Sequence, residues 1–155
     1  MTRGFAAIGL SHPKRAENVG GVLRAAHAYG AAMVAIAGDR SPMGQIKSAP
    51  NTSKAHRHMP IMRGIDLRGM IPCGAVPVAV DILDGAIALP NFIHPESAFY
   101  IFGPEDGTLG KNILNWCPFR VMIPTQFCMN LAATVNVVLY DRMAKAMARQ
   151  IRSAA

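Results

Sequence analysis

Apolar positions along this chain follow two rhythms. Short unbroken runs, the mark of strands buried on both faces, alternate with stretches where apolar residues return every three or four positions, as on one face of a helix. The runs predict strands at Phe5–Leu10, Ala32–Ala37, Val76–Ile82, Ala98–Phe102 and Phe119–Ile123, the last stopped by Pro124, which cannot donate to a ladder. Between the first two runs, Val19, Val22, Leu23 and Ala26 mark the inner face of a helix over Val19–Tyr29. Asn18 stands at its N-cap position and Gly30 at its C-terminal cap. A second helix runs from Asn130, another good N-cap, to about Arg152, with Leu131, Val135, Val138 and Leu139 inward. A β-α-β opening of this kind predicts an α/β fold with a parallel sheet, and nothing divides residues 1–155 into more than one domain.

The rhythm weakens from Ser41 to Met70, where Pro42, Gly44, Pro50 and Pro60 interrupt it. Lys47, Lys54, Arg57, Arg63 and Arg68 crowd there against the single acid Asp66. The stretch reads either as a solvated loop with one or two short helices or as a surface for RNA. Gly64–Ile71 and Leu109–Trp116 have the length of short helices. On the last helix Arg142, Lys145, Arg149 and Arg152 form a basic stripe, read as a solvated face complementing the helix dipole or as an RNA contact.

Composition narrows the class. Hydrophobic residues make up 51% of the 155 and aromatics only 6%, which suits helices packed on a sheet better than a β-sandwich. No apolar run approaches the roughly 20 residues of a membrane span, and no signal-peptide pattern opens the chain, so it reads as soluble and cytoplasmic. Cys73, Cys117 and Cys128 are odd in number and lack C-x-x-C spacing, and His56 and His58 have no further ligands nearby. Disulfide framework and metal site are both disfavoured. The net charge of +7 favours a polyanionic partner, nucleic acid first, with Lys14, Arg15, Lys54, Arg57 and Arg63 as candidate RNA contacts.

Candidate chemistry sits in three loops, Ser11–Glu17 with Asn18, Gly103–Gly110, and Thr125–Met129 with Asn130. Each follows a predicted strand, so a parallel sheet would bring all three to its carboxyl edge, where open α/β folds bind ligands. Helical side chains lean toward the N-terminus, so Arg24 lies over Gly20 and Gly21, which leave it room to reach the helix mouth. Gly110-Lys111 hints at a P-loop, but Glu105 stands where that motif needs glycine and Asn112 where it needs Ser or Thr. A G-x-G-x-x-G after the first strand is missing too.

Taken together, these loops resemble the SpoU/TrmH branch of the trefoil-knotted SPOUT RNA methyltransferases. The family's N-x-G-x-x-x-R matches Asn18, Gly20 and Arg24, and its strand ending in F-G-P-E matches Phe102-Gly103-Pro104-Glu105. Its strand-I-P, loop, S-[LM]-N-[LV] and Y-[ED] series matches Ile123-Pro124, Cys128-Met129-Asn130-Leu131 and Tyr140-Asp141. The likeness runs from Ala16 to Asp141, with Cys128 in place of the usual Ser and Thr108 in place of a Gly.

The resemblance implies a deep knot around Ile123–Asn130, a homodimer whose active sites are each finished by the partner, and S-adenosylmethionine as methyl donor without a metal. It implies ribose 2′-O-methylation of RNA, with tRNA favoured over ribosomal RNA because no additional RNA-binding domain precedes the motifs. Asn18, Arg24, Glu105, Cys128 and Asn130 become the catalytic candidates, Arg24 orienting the nucleophile since its high pKa makes proton acceptance costly. Val80, Gly103, Pro104, Glu105, Ile123, Pro124, Met129 and Leu131 become the cofactor candidates. The alternatives are a non-catalytic RNA-binding module of the same fold and a small-molecule-binding α/β protein whose charge only aids solubility.

Overall fold

The continuous apolar runs become strands, and the strands lie parallel. The computed structural model of the protein describes residues 4–39 and 54–154. In chain order the elements are β1 (Ala6–Ser11), α1 (Ala16–Ala28), β2 (Val34–Ala37), β3 (Ile61–Gly64), β4 (Val76–Val80), β5 (Ile87–Ala88), β6 (Ala98–Phe102), α2 (Lys111–Leu114), β7 (Phe119–Met122) and α3 (Leu131–Ala154). Single 3-10 turns lie at Ala55–Arg57, Arg68–Met70 and Leu89–Asn91. The strands make one sheet in the order β3-β2-β1-β6-β4-β7-β5, every neighbouring pair parallel.

β1, β2 and β6 are buried along their whole lengths, as central strands covered on both faces must be. Their side chains alternate between two cores. Ile8, Leu10, Tyr100 and Phe102 point to the layer shared with Val19, Leu23, Val135 and Val138 of α1 and α3. Ala7, Phe99 and Ile101 point the other way, to Leu67, Leu109 and Cys117. Burial in that second layer pushes the Cys117 thiol up to about 11, with Arg120 pulling weakly against it, so this cysteine packs as an inert apolar group.

Several expectations need correction. β3 lies in the stretch read as loop and short helix, and the two-residue β5 escaped notice. The expected helices at Gly64–Ile71 and Leu109–Trp116 shrink to one 3-10 turn and the one-turn α2. Residues 41–53 of the irregular stretch, with Lys47, lie outside the described residues. Helix α1 starts at Ala16 with Arg15 as its uncapped N-cap residue, so Asn18 is not the cap but sits inside the first turn. At the other end Gly30 does close the helix: at φ 68° it sets its N–H on His27 O (3.2 Å), and Ala31 N–H reaches Ala26 O (2.8 Å). That pair of bonds is a Schellman cap.

Helices α1 and α3 touch where both begin. A Cβ on Gly21 would stand 2.7 Å from the Ala132 Cβ, so Gly21 serves close helix packing rather than clearance for Arg24. Gly21→Val should therefore cost about 2–3 kcal/mol through overpacking, read as a lowered denaturation midpoint, and Ala132→Gly in the same chain should recover part of it. An unchanged midpoint in Gly21→Val would refute this contact.

The basic stripe of α3 splits in two. Arg149 and Arg152 are exposed, but Arg142 and Lys145 are tied down. The Arg142 guanidinium donates to the carbonyls of Pro95 (2.7 Å), Phe5 (3.3 Å) and Glu96. Lys145 Nζ donates to Leu89 O (2.6 Å) and Phe92 O (3.0 Å) and pairs with Asp141 (2.7 Å). These two cations take up carbonyls of the segments just before β1 and between β5 and β6, which a helix side chain reaches more easily than water would once the helix covers them. They are anchors, and the solvated-stripe reading fails for them.

Candidate functional site

The carboxyl edge of the sheet carries the loops singled out from sequence, and three side chains stitch them together. Asn130 caps α3: its Oδ1 accepts from Ala132 N (2.9 Å) and Ala133 N (3.4 Å). Its Nδ2 donates across to Asn18 Oδ1 on α1 (2.8 Å). Asn18 Nδ2 in turn donates to Glu105 Oε1 in the loop after β6 (2.7 Å). Glu105 then accepts from the backbone N–H groups of Lys14 (2.9 Å) and Arg15 (3.3 Å), in the loop after β1. Each amide spends its oxygen and its nitrogen in a fixed direction, so one relay of donors fastens the loops after β7, β1 and β6.

Burial alone would push the Glu105 carboxyl up, but the bonds from Asn18 and from the Lys14 and Arg15 amides outweigh it and hold the group below the usual carboxylate range. Glu105 is a fixed anion at neutral pH, an acceptor only. A fourth loop joins from β4. Asp81 Oδ2 accepts from Leu109 N (2.8 Å) and Oδ1 from Ile82 N (2.7 Å), which draws the far end of the Gly103 loop back onto β4.

Between these loops lies a cleft of about 460 Å³. Asn18, Glu105, Cys128 and Asn130 form one part of its wall. Val80, Gly103, Pro104, Ile123, Met129 and Leu131 form a second, largely apolar part, with Lys14 and Arg15 at the rim. Twelve of the residues singled out from sequence meet here.

Others do not. Arg24 is exposed on α1 and does not line the cleft of its own chain, and Pro124 lies off it too. Arg24 follows Asn18 by six positions, which turns it roughly 120° around the helix. Lys54 and Arg57 belong to the 3-10 turn before β3, near the His27–His58 ring stack (4.9 Å) at the far end of α1. Arg63 sits on the edge strand β3, with β1 and β2 between it and β6. The basic candidates thus divide into a pair at the cleft and a group at the sheet's edge.

The cleft also uses Asp81, Ile82 and Thr134, which sequence reasoning missed, together with Phe102, Asp106, Gly107 and Thr125, which lie in the motif and loops singled out but were given no role of their own. Asp81 was absorbed into a strand drawn two residues too long. Asp106 pairs with Lys14 and steadies the rim. Thr134 Oγ1 donates to Asn130 O (2.9 Å), a helical i to i−4 bond that pattern reading treats as mere helix. Among the described residues no three His, Cys, Asp or Glu side chains group as metal ligands, and no helix is long and apolar enough to cross a membrane.

A parallel sheet with a loop-built cleft at its carboxyl edge defines an α/β ligand-binding protein. More narrowly, residues 6–140 match the SpoU rRNA Methylase family, and the chain belongs to it. Comparison with curated proteins returns no significant match. Among solved structures the fold is similar to the AdoMet-bound rRNA methyltransferase from Sinorhizobium meliloti, at TM-score 0.82 and 19% identity over 92% of this chain. It is similar to the SpoU methyltransferase AviRb from Streptomyces viridochromogenes in complex with AdoMet, at 0.82 and 21% over 97%. This chain spans 57% and 60% of the length of those two. A third structure, concerning the 2-OH methylation of C/U34 on tRNA, aligns over 92% of this chain and 97% of its own, at TM-score 0.73 and 24% identity.

Proposed function

We propose that the protein is an RNA ribose 2′-O-methyltransferase that takes its methyl group from S-adenosylmethionine and acts on tRNA. The observation that carries this is the Asn130–Asn18–Glu105 relay, which closes the family's motif loops around one cleft. The tRNA assignment is supported by the likeness to a chain of nearly the same extent concerned with tRNA 2-OH methylation.

The cleft fits the cofactor on its own chemistry. It falls within the 300–1,000 Å³ range of small-molecule sites, and its apolar wall suits an adenine ring. Glu105, Asp81 and Asp106 supply negative charge for a sulfonium and an amino acid head. Gly103, Ile123, Met129 and Leu131 would hold it, largely through backbone groups, with Val80 and Pro104 against the ring. When bound, S-adenosylmethionine supplies an electrophilic methyl group. This chain's own part is alignment: Asn18, fixed at both ends, and Glu105 keep the mouth rigid, while Arg24 turns the ribose 2′-hydroxyl toward the methyl group and holds its phosphate.

Arg24 can do that only from a second copy of the chain, so the reading includes a homodimer. Tyr140, Met143, Met147 and Ile151 support it, an exposed apolar series along α3 that a second copy would cover. Light scattering should give twice 16.6 kDa, and a mass of one chain at micromolar concentration would remove this part. We also infer that the Ile123–Asn130 segment is threaded as a trefoil knot, since the loops after β6 and β7 close one cleft with β4 between their strands. An experimental trace showing an unthreaded path there would dismiss it.

Two measurements test the whole reading. Labelled S-adenosylmethionine and total tRNA should yield labelled ribose; binding of RNA without transfer would instead establish the non-catalytic module. Calorimetry should show S-adenosylhomocysteine binding without added metal, and silence with that compound but tight ATP binding would falsify the cofactor assignment. RNA affinity should also fall steeply with salt through counterion release. Charge reversal at Arg57 and Arg63 should weaken RNA binding while cofactor affinity holds, and loss of both together would mean a folding defect instead.

A further inference from the structure

We propose that Phe127 is a base-stacking platform at the mouth of the cleft, and that the nucleotide presented there is therefore an unpaired one. This rests on the cleft being the methylation site. Phe127 lies in the loop between β7 and α3, and it is 82% exposed. Single exposed apolar side chains are common on protein surfaces, so the position has to decide.

The loop is held at three points. Thr125 N–H reaches Ile123 O (2.8 Å), Thr125 Oγ1 donates to the Phe127 carbonyl (2.8 Å), and Asn130 caps the helix that follows. The phenyl ring is thus carried outward on ordered backbone. Its chain neighbours Thr125, Cys128 and Met129 line the cleft, while the ring itself stands outside it. The cations Arg15 and Lys14, the latter held against Asp106, line the cleft from the loop after β1, a strand separated from β7 by β6 and β4.

A nucleotide offers the matching pieces. Its ribose carries a base with a flat π face on one side and an anionic phosphate on the other. With the ribose over the Asn18–Asn130 bond, the phosphate would face Arg15 and the base would face Phe127. Paired bases in a helix have both faces occupied by their neighbours, so the ring can serve only a base that has left the stack or was never in one. The net charge of +7 favours an RNA occupant over an acidic-poor protein surface.

The test uses full-length Phe127→Ala, Phe127→Leu and Phe127→Trp. In methylation of total tRNA, the Ala and Leu variants should raise KM roughly 5- to 150-fold with kcat nearly unchanged, the span that loss of one base stack gives. Phe127→Trp should keep the wild-type KM, and S-adenosylhomocysteine affinity should hold in all three. The indole of Phe127→Trp should be quenched by a mixed-sequence single-stranded RNA 12-mer and not by its duplex, after subtraction of the wild-type signal. A wild-type KM in Phe127→Ala, equal quenching by duplex, or halving of the light-scattering mass of Phe127→Ala would each overturn the proposal, the last by showing that the ring serves another copy. If wild type transfers no methyl to any RNA, the enzymatic reading fails, and the quenching experiment still judges the stacking platform by itself.

Discussion

An Arg24→Ala chain and an Asn130→Ala chain, each inactive alone, should together recover about one quarter of wild-type methyl transfer when co-expressed as a random mixture of symmetric dimers. Arg24 is exposed and stands outside its own cleft, on a face of α1 well round from Asn18. The two ends of one motif can then act on one nucleotide only if Arg24 enters the cleft of the other copy. Arg24→Ala should lower transfer by about 100-fold or more, because an unaligned hydroxyl loses the advantage of orientation while the cofactor loops stay whole. Asn130→Ala removes a helix cap and the bond to Asn18, a loss on the order of 1 kcal/mol in stability and much of the cleft's rigidity. In a mixed dimer one cleft keeps its Asn130 and receives an intact Arg24, whereas the other has neither. Arg24→Lys should rescue poorly, since an ammonium lacks the planar fork. A mixture as dead as its components would place Arg24 in cis or deny it a role, and a fully active Arg24→Ala would remove it from the site.

The strands that could be read in advance are those covered on both faces. In β1 and β6 every residue is buried, so the apolar run and the strand coincide. β3 left no such trace, because it is an edge strand with three of its four residues exposed, and Met62-Arg63-Gly64 reads as loop. β5 is too short to have a period at all. The start of α1 was misplaced for a different reason. Asn18 has the chemistry of a cap, yet its amide is drawn away by Glu105 and Asn130, more than eighty positions off in sequence. Local propensity cannot foresee a long-range partner competing for the same side chain.

The site was legible to the extent that strand ends announce it. Asn130 kept its expected cap and gained a second task, and Glu105 took a place that its motif alone did not explain. Arg142 and Lys145 show the limit: spacing makes them a stripe, but only the fold reveals the carbonyls of Leu89, Phe92, Pro95 and Glu96 beneath them. Asp141 is similar. It closes the third motif in sequence, yet in the fold it lies toward the amino edge of the sheet, opposite the cleft, bonded to His94. One sequence motif therefore serves two ends of the molecule, the cleft wall at one and helix anchorage at the other.

That anchorage sets the second large effect, a loss of about 2–4 kcal/mol of stability in Asp141→Ala with cofactor affinity unchanged. Arg142 donates to Tyr100 OH (3.2 Å), Tyr100 OH donates to His94 Nδ1 (2.6 Å), and His94 Nε2–H donates to Asp141 Oδ2 (2.7 Å), which also receives Lys145. Burial pushes the Tyr100 hydroxyl up to about 12, so it remains a donor. Burial likewise lowers the His94 pKa, against the hydrogen bond and charge of Asp141, and the ring is neutral as the relay requires. Asp141→Ala strands a buried N–H and removes the counter-charge of Lys145, which should lower Tm by roughly 5–15 °C in a domain of this size. The pH dependence has a definite sign. His94 is harder to protonate folded than unfolded, so its contribution is complete above about pH 6.5 and is lost as pH falls toward the folded value. Calorimetric scans from pH 8 to 5 should show Tm falling below about 6.5 in wild type and falling less in His94→Gln. An unchanged Tm in Asp141→Ala, or identical acid profiles for wild type and His94→Gln, would mean that α3 is held to the sheet by its apolar face alone.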